Sequence, residues 1–217
     1  VVEHTVTVDW GDGSPNIFML QPGEERFTVQ HRYLDDNPTG TTSDSYIIGV
    51  TVADNDGDTD SGTLELTVLN VAPVITNLAS NAPDVGDAAE GQLITITGAF
   101  TDVGSLDTHV AIIDWGDGQT SKAVITEKDG SGSLSGSHTY RSGGIYDIKV
   151  SLSDDDNGHA TQSTTALVTG AGLHNGVLQI VGTRCNDKVE VEAEGKCDQW
   201  IEVEANFLAD KGHERLF

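Results

Sequence analysis

The sequence contains an internal repeat, and this repeat constrains the fold more than any other feature. Three segments return in the same order further along the chain. The matching pairs are 9–13 with 114–118, 31–33 with 138–140, and 46–56 with 146–156. Their offsets of 105, 107 and 100 residues differ only by loop insertions. A repeat of this kind indicates two copies of one structural unit.

Within each repeat, apolar residues alternate with small or polar residues. Ile48, Val50 and Val52 share one side of such a pattern, and 64–68 continues it after an aspartate-rich turn. Alternation is typical of half-buried β-strands, and Asp-Gly after a strand predicts a tight turn. Because no segment shows a convincing helical period, the sequence predicts an all-β fold, and we expect a sandwich.

The charge of the chain excludes several classes of partner. The 217 residues carry 35 acidic and 11 basic side chains, a net charge of −24. Nucleic-acid binding draws its affinity from Lys and Arg, so a nucleic-acid partner is excluded, and docking on an anionic membrane is disfavoured. Membrane insertion is not expected either, because no run of about 18 apolar residues occurs. The acidic, turn-rich composition favours an extracellular or cell-surface protein, and we expect the chain to be a mature segment or a fragment.

The motifs of the second repeat resemble those of the polycystic kidney disease (PKD) domain. They are 113–118 (Ile-Asp-Trp-Gly-Asp-Gly), 138–140 (His-Thr-Tyr), 144–150 (Gly-Ile-Tyr-Asp-Ile-Lys-Val) and 154–158 (Asp-Asp-Asp-Asn-Gly). The resemblance covers about residues 1–169. It implies tandem immunoglobulin-like β-sandwiches in a large secreted or surface protein, without catalytic residues.

The expected organisation is a first repeat at 1–70, a complete second repeat at 71–169, and a short C-terminal β extension at 170–217. The first repeat has no counterpart of the predicted strands 74–78 and 92–97, and it carries a polar insertion at 35–44. Missing strands would expose apolar surface and unpaired edges. Either the natural protein continues upstream, or another copy donates a strand.

The C-terminal extension contains three predicted strands, at 177–181, 188–192 and 201–205. The last two alternate and are candidate donors for strand exchange between copies. The intervening segment 182–187 faintly resembles one turn of a calcium-binding β-roll. Such turns are stable only when stacked, so a plain β-meander is the favoured interpretation.

Clusters of acidic residues at predicted strand ends suggest calcium binding. The candidate ligands are Glu90, Asp102, Asp154 and Asp156, with Asp54 and Asp56 as counterparts in the first repeat. Calcium takes six to eight oxygen ligands, and loops that converge at one end of a sandwich can supply them. The 54–60 segment does not match the spacing of an EF-hand loop. The alternative is a set of solvated acidic turns.

Two cysteines, Cys185 and Cys197, flank a predicted strand, and we expect them to form a disulfide worth about 3 kcal/mol.

Trp10 and Trp115 precede matching turns, so we expect both indoles in the core of a sandwich rather than on a sugar-binding surface. His31 and His138 also match, and we expect backbone groups to satisfy them.

No sequence motif of a hydrolase, zinc protease or nucleotide-binding enzyme is present. The sequence therefore favours a non-catalytic spacer or adhesive module, stiffened by calcium, that contacts neighbouring domains, other copies, or an extracellular glycan or protein. The alternative is an accessory region of an extracellular polysaccharide- or protein-degrading enzyme.

Overall fold

The computed structural model describes residues 3–36, 40–194, 200–208 and 212–216. All regular structure in these residues is β-strand, which confirms the predicted all-β class. The chain divides into two compact units. The first unit contains residues 1–71 together with 155–158, and the second contains 72–154 and 159–217. Among the described residues, no helix is long and apolar enough to cross a membrane.

The first unit is built on one antiparallel sheet with strand order β2-β1-β3-β4. The strands are β1 (His4–Asp9), β2 (Asn16–Leu20), β3 (Ser43–Asp54) and β4 (Thr59–Leu69). Val6 pairs with Val52 and Val8 with Val50, which places the apolar side chains of β1 and β3 on one face. Val6, Val8 and Tyr46 are the buried apolar residues of this unit.

The second unit contains two sheets that enclose a common core. One sheet has the order β10-β11-β7-β5, and the other has the order β14-β13-β12-β8-β9, with β6 paired to β13. The strands are β5 (Val74–Ser80), β6 (Ala88–Ala89), β7 (Leu93–Thr101), β8 (Val110–Asp114), β9 (Thr120–Lys122), β10 (Val124–Lys128), β11 (Ser131–Thr139), β12 (Gly144–Ser153), β13 (His159–His174) and β14 (Val177–Val181). This arrangement is the sandwich that the alternation predicted.

Both sheets of the second unit supply the core. Ile94, Ile96, Phe100 and Leu134 come from one sheet, and the other contributes Ala111, Ile113, Ile148, Val150, Leu152, Ala166 and Val168. Trp115, directly after β8, is only 1% exposed within this cluster. Burial of this many large side chains is the main stabilising contribution to such a sandwich.

Three C-terminal strands follow β14, and the sequence predicted the first two of them but not the third. They are β15 (Val189–Glu194), β16 (Trp200–Ala205) and β17 (His213–Leu216), and they form a sheet of their own in the order β15-β16-β17. Strand β13 runs without a break through Gly170 and pairs with β12 in its first part and β14 in its last part. Ala171, Val203, Ala205 and Leu208 form a second, smaller core.

The central strands of the two units have the same register. Val8 pairs with Val50 in the first unit, and their counterparts Ile113 and Val150 pair in the second. The sequence repeat therefore corresponds to a structural repeat of the sheet β1-β3-β4 as β8-β12-β13.

The two equivalent sheets differ in what covers them. Ile148, Val150 and Leu152 are fully buried beneath the opposing sheet. The matching residues 48, 50 and 52 of the first unit are partly exposed. Leu64 and Leu66 on the neighbouring strand are 64% and 39% exposed. Within 3–36 and 40–71, the described residues contain no counterparts of β5 and β7, and this face stays exposed at Leu64 and Leu66, although Val6 and Val8 on the same face are buried.

The prediction of a buried tryptophan holds for one repeat only. Trp115 is buried, whereas Trp10 is partly exposed. The expectation of equal burial was wrong for Trp10, because an indole on one sheet is enclosed only where a second sheet packs over it.

This difference predicts unequal effects of the same substitution. Trp115→Ala should reduce the free energy of unfolding by about 3–5 kcal/mol, the range for removal of a buried aromatic side chain. Trp10→Ala is the matched variant and should cost clearly less. Urea denaturation followed by far-UV circular dichroism measures both, and equal losses would contradict the difference in burial.

Candidate functional site

The Asp-Trp-Gly-Asp-Gly segments form equivalent turns after β1 and β8. Gly11 and Gly116 have φ angles of +79° and +77°, a region that favours glycine. A Cβ atom on Gly116 would also lie 2.7 Å from the carbonyl oxygen of Asp147. The first aspartate of each turn, Asp9 or Asp114, accepts a hydrogen bond from the backbone N–H of this glycine, at 2.9 and 3.0 Å. The motif is thus specified by turn geometry.

The His-x-Tyr segments bind back onto these turns. His138 Nε2 lies 2.8 Å from Asp117 Oδ2, and its ring stacks on Trp115 at a centroid distance of 5.1 Å. The Tyr140 hydroxyl donates to the Trp115 carbonyl at 2.7 Å. We call this group of Trp115, Asp117, His138 and Tyr140 the turn cluster.

The first unit contains the same cluster. His31 Nε2 lies 2.7 Å from Asp12 Oδ2 and stacks on Trp10 at 4.8 Å, and the Tyr33 hydroxyl donates to the Trp10 carbonyl. The expectation that backbone groups satisfy these histidines was wrong. A carboxylate accepts in their place, because the turn carries its second aspartate directly opposite the ring.

The electrostatics of the cluster follow from these contacts. Hydrogen bonds from Ser14, together with the neighbouring His31, hold the pKa of Asp12 below its ordinary value against the opposing effect of desolvation. Burial, with the nearby charge of Asp117, raises the pKa of Tyr140 above its ordinary range. The first unit therefore keeps Asp12 charged beside His31, and the turn cluster keeps Tyr140 neutral.

Glu90, the first predicted calcium ligand, is occupied by backbone contacts. Its Oε1 accepts hydrogen bonds from the N–H groups of Gly143 and Ala171, at 2.7 and 3.2 Å. Gly170 lies against this carboxylate, so closely that a Cβ atom there would clash with it. Among the described residues, Glu90 belongs to no group of three acids close enough to share a cation.

Asp102 lies in a buried chain of polar groups. Its Oδ1 accepts from the N–H of Gly104, and its Oδ2 lies 3.0 Å from His109 Nε2. The other ring nitrogen of His109 lies 2.7 Å from Glu127 Oε2. The side chains of Asp102 and His109 are 0% and 1% exposed. A carboxylate oxygen of Asp107 lies within 4.8 Å of one of Asp102.

The remaining predicted ligands lie at hairpin turns. Asp54 Oδ1 accepts from the N–H groups of Asp56 and Asp58, at 3.0 and 2.9 Å, which is the Asx arrangement of a tight turn. Asp56 is exposed, and its counterpart Asp156 is buried in the first unit. Asp154 is buried in the second unit. Calcium binding at the six sequence-predicted residues stays a prediction.

Sequence reasoning missed two acidic residues, Asp35 and Asp36, which are 5% and 1% exposed. The Val71 N–H donates to Asp35 Oδ1 at 2.8 Å. Asp35 Oδ2 and both carboxylate oxygens of Asp36 are buried and accept no hydrogen bond from the described residues. The sequence signal was an Asp-Asp pair in a polar insertion, which is the usual mark of a solvated loop.

The surroundings of Asp36 disfavour its charged form. Burial first, and then the charges of Asp35 and Asp156, raise the pKa of Asp36 from 3.8 to about 6.

Cys185 is exposed, and Cys197 lies outside the described residues. The disulfide between them stays a prediction.

No protein-family model matches the chain, and no curated protein matches it. Among solved structures, the chain is similar to the Bacteroides ovatus mixed-linkage glucan utilization locus protein SGBP-B in complex with a mixed-linkage heptasaccharide, with 15% identity and a TM-score of 0.21. That similarity covers 98% of this chain and 60% of the other. It is also similar to domains 4–9 of the surface layer protein SbsC, with 13% identity, a TM-score of 0.30, and coverage of 93% and 32%. The chain therefore spans less than two thirds of either structure, and at these TM-scores neither similarity assigns a family or a function.

The turn cluster predicts a matched pair of effects. Tyr140→Phe removes the hydroxyl and leaves the Trp115 carbonyl without its donor, so the free energy of unfolding should fall by about 1–3 kcal/mol. Tyr33→Phe should cost less, because the Trp10 carbonyl is only partly buried. Chemical denaturation of both variants measures the difference. If Tyr140→Phe leaves the free energy of unfolding unchanged, the hydrogen bond from the Tyr140 hydroxyl to the Trp115 carbonyl does not stabilise the fold.

The raised pKa of Asp36 predicts that the free energy of unfolding depends on pH in buffer free of divalent cations. Its pKa is higher in the folded chain than in the unfolded chain, so the folded state binds more protons between 3.8 and about 6. The free energy of unfolding contributed by this group therefore falls as pH rises through that window.

Asp36→Asn should remove this contribution, and exposed Asp56→Asn is the control. Denaturation at several pH values between 4 and 7, read as the difference from the parent chain, measures it. If the free energy of unfolding changes with pH in the same way in the parent chain and in Asp36→Asn, the pKa of Asp36 is not raised.

Proposed function

We propose that the chain is a non-catalytic structural segment of a large secreted or cell-surface protein, which acts as a calcium-stiffened spacer or binding module. One observation carries the proposal. In both units, the polar groups of the repeated motif bind each other and the backbone of their own turn. A motif whose hydrogen-bonding groups are used to hold a turn, and which is present twice, supports an architectural role.

The arrangement of the same residues argues against hydrolase chemistry. In the first unit, Ser14, Asp12 and His31 lie together, but the Ser14 hydroxyl donates to the carboxylate and not to the imidazole. A nucleophilic serine needs the imidazole as its base. In the second unit the equivalent partner of Asp117 is Gln119, which cannot act as a nucleophile. The cluster is therefore unsuited to acyl transfer.

The charge supports an extracellular or cell-surface location. A net charge of −24 keeps a chain soluble and disfavours binding to nucleic acids and anionic membranes. Calcium, which is abundant outside cells, is the counter-ion that such an acidic chain would use. An extracellular glycan or protein is the class of ligand that we propose for a binding role.

The exposed Leu64 and Leu66 of the first sheet support partnership with another β structure. In the second unit the equivalent face is covered by strands β5 and β7, and β7 contributes Ile94, Ile96 and Phe100 to the core. We propose that a strand pair of this kind, from a neighbouring PKD-like domain of the same protein, covers Leu64 and Leu66. Strand donation by another copy is the competing source. The candidate donors β15 and β16 pair with each other in this structure.

Light scattering of this chain at several concentrations separates the two sources. A monomer at all concentrations supports a neighbouring domain. Concentration-dependent oligomers that Leu64→Ser and Leu66→Ser abolish would support donation between copies.

The calcium-stiffened spacer predicts a cation-dependent melting temperature. Chelation should lower the melting temperature, and added calcium should restore it by mass action. Differential scanning calorimetry measures the shift, with magnesium as the comparison ion.

The same preparation should hydrolyse neither polysaccharides nor proteins. Hydrolysis that His31→Ala or His138→Ala abolishes would contradict the non-catalytic proposal.

A further inference from the structure

The outer side of the sheet β10-β11-β7-β5 carries a dense array of hydroxyl groups. Side chains alternate between the two sides of a strand, and the buried Ile94, Ile96 and Leu134 mark the side that faces the core. The residues between them point outward. We call this outer side the hydroxyl face, and its hydroxyl-bearing side chains are Thr95, Thr97, Thr101, Thr126, Ser131, Ser133, Ser135, Ser137 and Thr139.

The pairing register places these hydroxyl groups next to each other on three strands. Ser135 pairs with Thr97 across β11 and β7, and on the other side of β11 Ser133 pairs with Thr126. Neighbouring strands are about 4.8 Å apart, and outward side chains follow each other about every 7 Å along a strand. The hydroxyl groups therefore form a two-dimensional lattice and not a single line.

The fold uses little of the bonding capacity of the hydroxyl face. Among the described residues, the one side-chain hydrogen bond made by these hydroxyls runs from Ser131 to the carbonyl of Lys128, at 3.1 Å. In turns of the same chain, by contrast, the hydroxyls of Ser14 and Thr183 bind aspartates. A hydroxyl group both donates and accepts hydrogen bonds. The hydroxyl face can therefore bond to a ligand with the same abilities.

The hydroxyl face is free of acidic side chains, although the chain contains 35 acids. Its four strands lie within the described range 40–194, and their one acid, Glu127, points inward and lies 2.7 Å from His109. Lys128 stands at one corner, beside Asp129 at 3.7 Å. An uncharged ligand can bind here without removing a charge from water, whereas a net charge of −24 repels an anionic one.

A shallow groove with a volume of about 510 Å³ crosses the hydroxyl face. It reaches from Thr76 on β5 to Lys128 on β10, and its lining includes Thr126 and Ser133 together with the small Ala99. Ligand sites in proteins usually have volumes of about 300–1,000 Å³. Because the groove is open and spans four strands, it suits a section of a long polymer better than a small enclosed molecule.

The larger apolar residues of the hydroxyl face lie at its margins. Val74 and Val124 are on the two edge strands, and Leu93 is at the start of β7. Protein interfaces are usually centred on well-packed aromatic or large apolar side chains. The centre of the hydroxyl face instead carries serine, threonine and alanine, which disfavours a protein partner.

We propose that the groove on the hydroxyl face binds a section of an uncharged, extended polysaccharide. Sugar hydroxyls donate and accept hydrogen bonds as those of Ser133 and Thr126 do, so the two sets can satisfy each other directly or through water. The small Ala99 leaves room for the C–H groups of a sugar ring. This inference rests on the proposed binding role of a non-catalytic extracellular module, for which it names the ligand class and the site.

The test is electrophoresis of the full chain through native gels that contain a polysaccharide. Hydroxyethylcellulose and galactomannan are the uncharged, extended probes, and polygalacturonate is the anionic comparison. The uncharged polymers should slow the parent chain relative to a gel without polymer, and polygalacturonate should not. The dependence of this retardation on polymer concentration gives a dissociation constant.

Substitutions at Ser133 test the assignment to the groove. Ser133→Glu should weaken binding tenfold or more, because the new charge would lose its hydration in the complex. Ser133→Ala should weaken it by about three- to tenfold, the effect of one uncharged hydrogen bond. The control Ser163→Glu makes the same change at an exposed position on the outer side of the opposite sheet, and it should bind like the parent chain. All three variants should keep the parent's melting temperature, because both positions are exposed.

Three results would overturn the inference, and each leaves a different part of the proposed function intact. If neither uncharged polymer slows the parent chain, the hydroxyl face is not a polysaccharide site, and the spacer role is judged by the calcium-dependent melting temperature. If parent and Ser133→Glu are slowed equally, a polysaccharide binds elsewhere on the chain. If Ser133→Glu instead dissociates an oligomer seen by light scattering, the hydroxyl face is a contact between copies.

Discussion

Burial of the Trp115 indole between two sheets sets the requirements for the rest of the second unit. Its Nε1 donates to Ser121, its carbonyl accepts from Tyr140 and its backbone N–H donates to the Gln119 carbonyl, so all three polar groups of this residue are satisfied within the chain. The ring of His138 covers one face of the indole and is itself held by Asp117. An indole can enter a core only when its N–H finds a partner, and this requirement explains the residues around the turn.

The first unit shows what the same local design achieves without the second sheet. The turn, the Asp12–His31 contact and the Tyr33 hydroxyl bond are all preserved. The geometry of these contacts depends on the turn after β1 and on the segment that carries His31 and Tyr33, and not on an opposing sheet. Full enclosure of the apolar face does depend on that layer, because Leu64 remains 64% exposed without it while Val6 and Val8 on the same face are buried. The local motif and the core are therefore separable features of this repeat.

The acidic residues of the chain fall into physically different groups, although they look alike in the sequence. Asp9 and Asp54 bind backbone N–H groups of their own turns, and Glu90 binds N–H groups of two distant segments. Asp36 is buried and accepts no hydrogen bond from the described residues. A high count of carboxylates is thus compatible with a folded chain, because many of them act as hydrogen-bond acceptors in turns.

The elements that depend on local interactions could be predicted from the order of the amino acids. The alternation at 48–52 specified β3, the glycines of the Trp-Gly-Asp-Gly turns specified positive φ angles, and the repeat offsets specified equivalent sheets. Strands β14, β15 and β16 were also predicted from alternation, within one or two residues of their bounds. These features require only neighbouring residues, since strand periodicity and turn conformation are set over a few positions.

Which side chains are buried, and which polar groups contact each other, depends on the packing of segments that are distant in the sequence. The partly exposed Trp10 and the buried Trp115 have the same local sequence, and they differ because one unit has a covering sheet. Asp35 and Asp36 read as a solvated insertion, yet they are buried beside segments 36 and 120 residues away in the sequence, at Val71 and Asp156. Burial and charge coupling are sums over spatial neighbours, and periodicity along the chain carries no information about neighbours so distant.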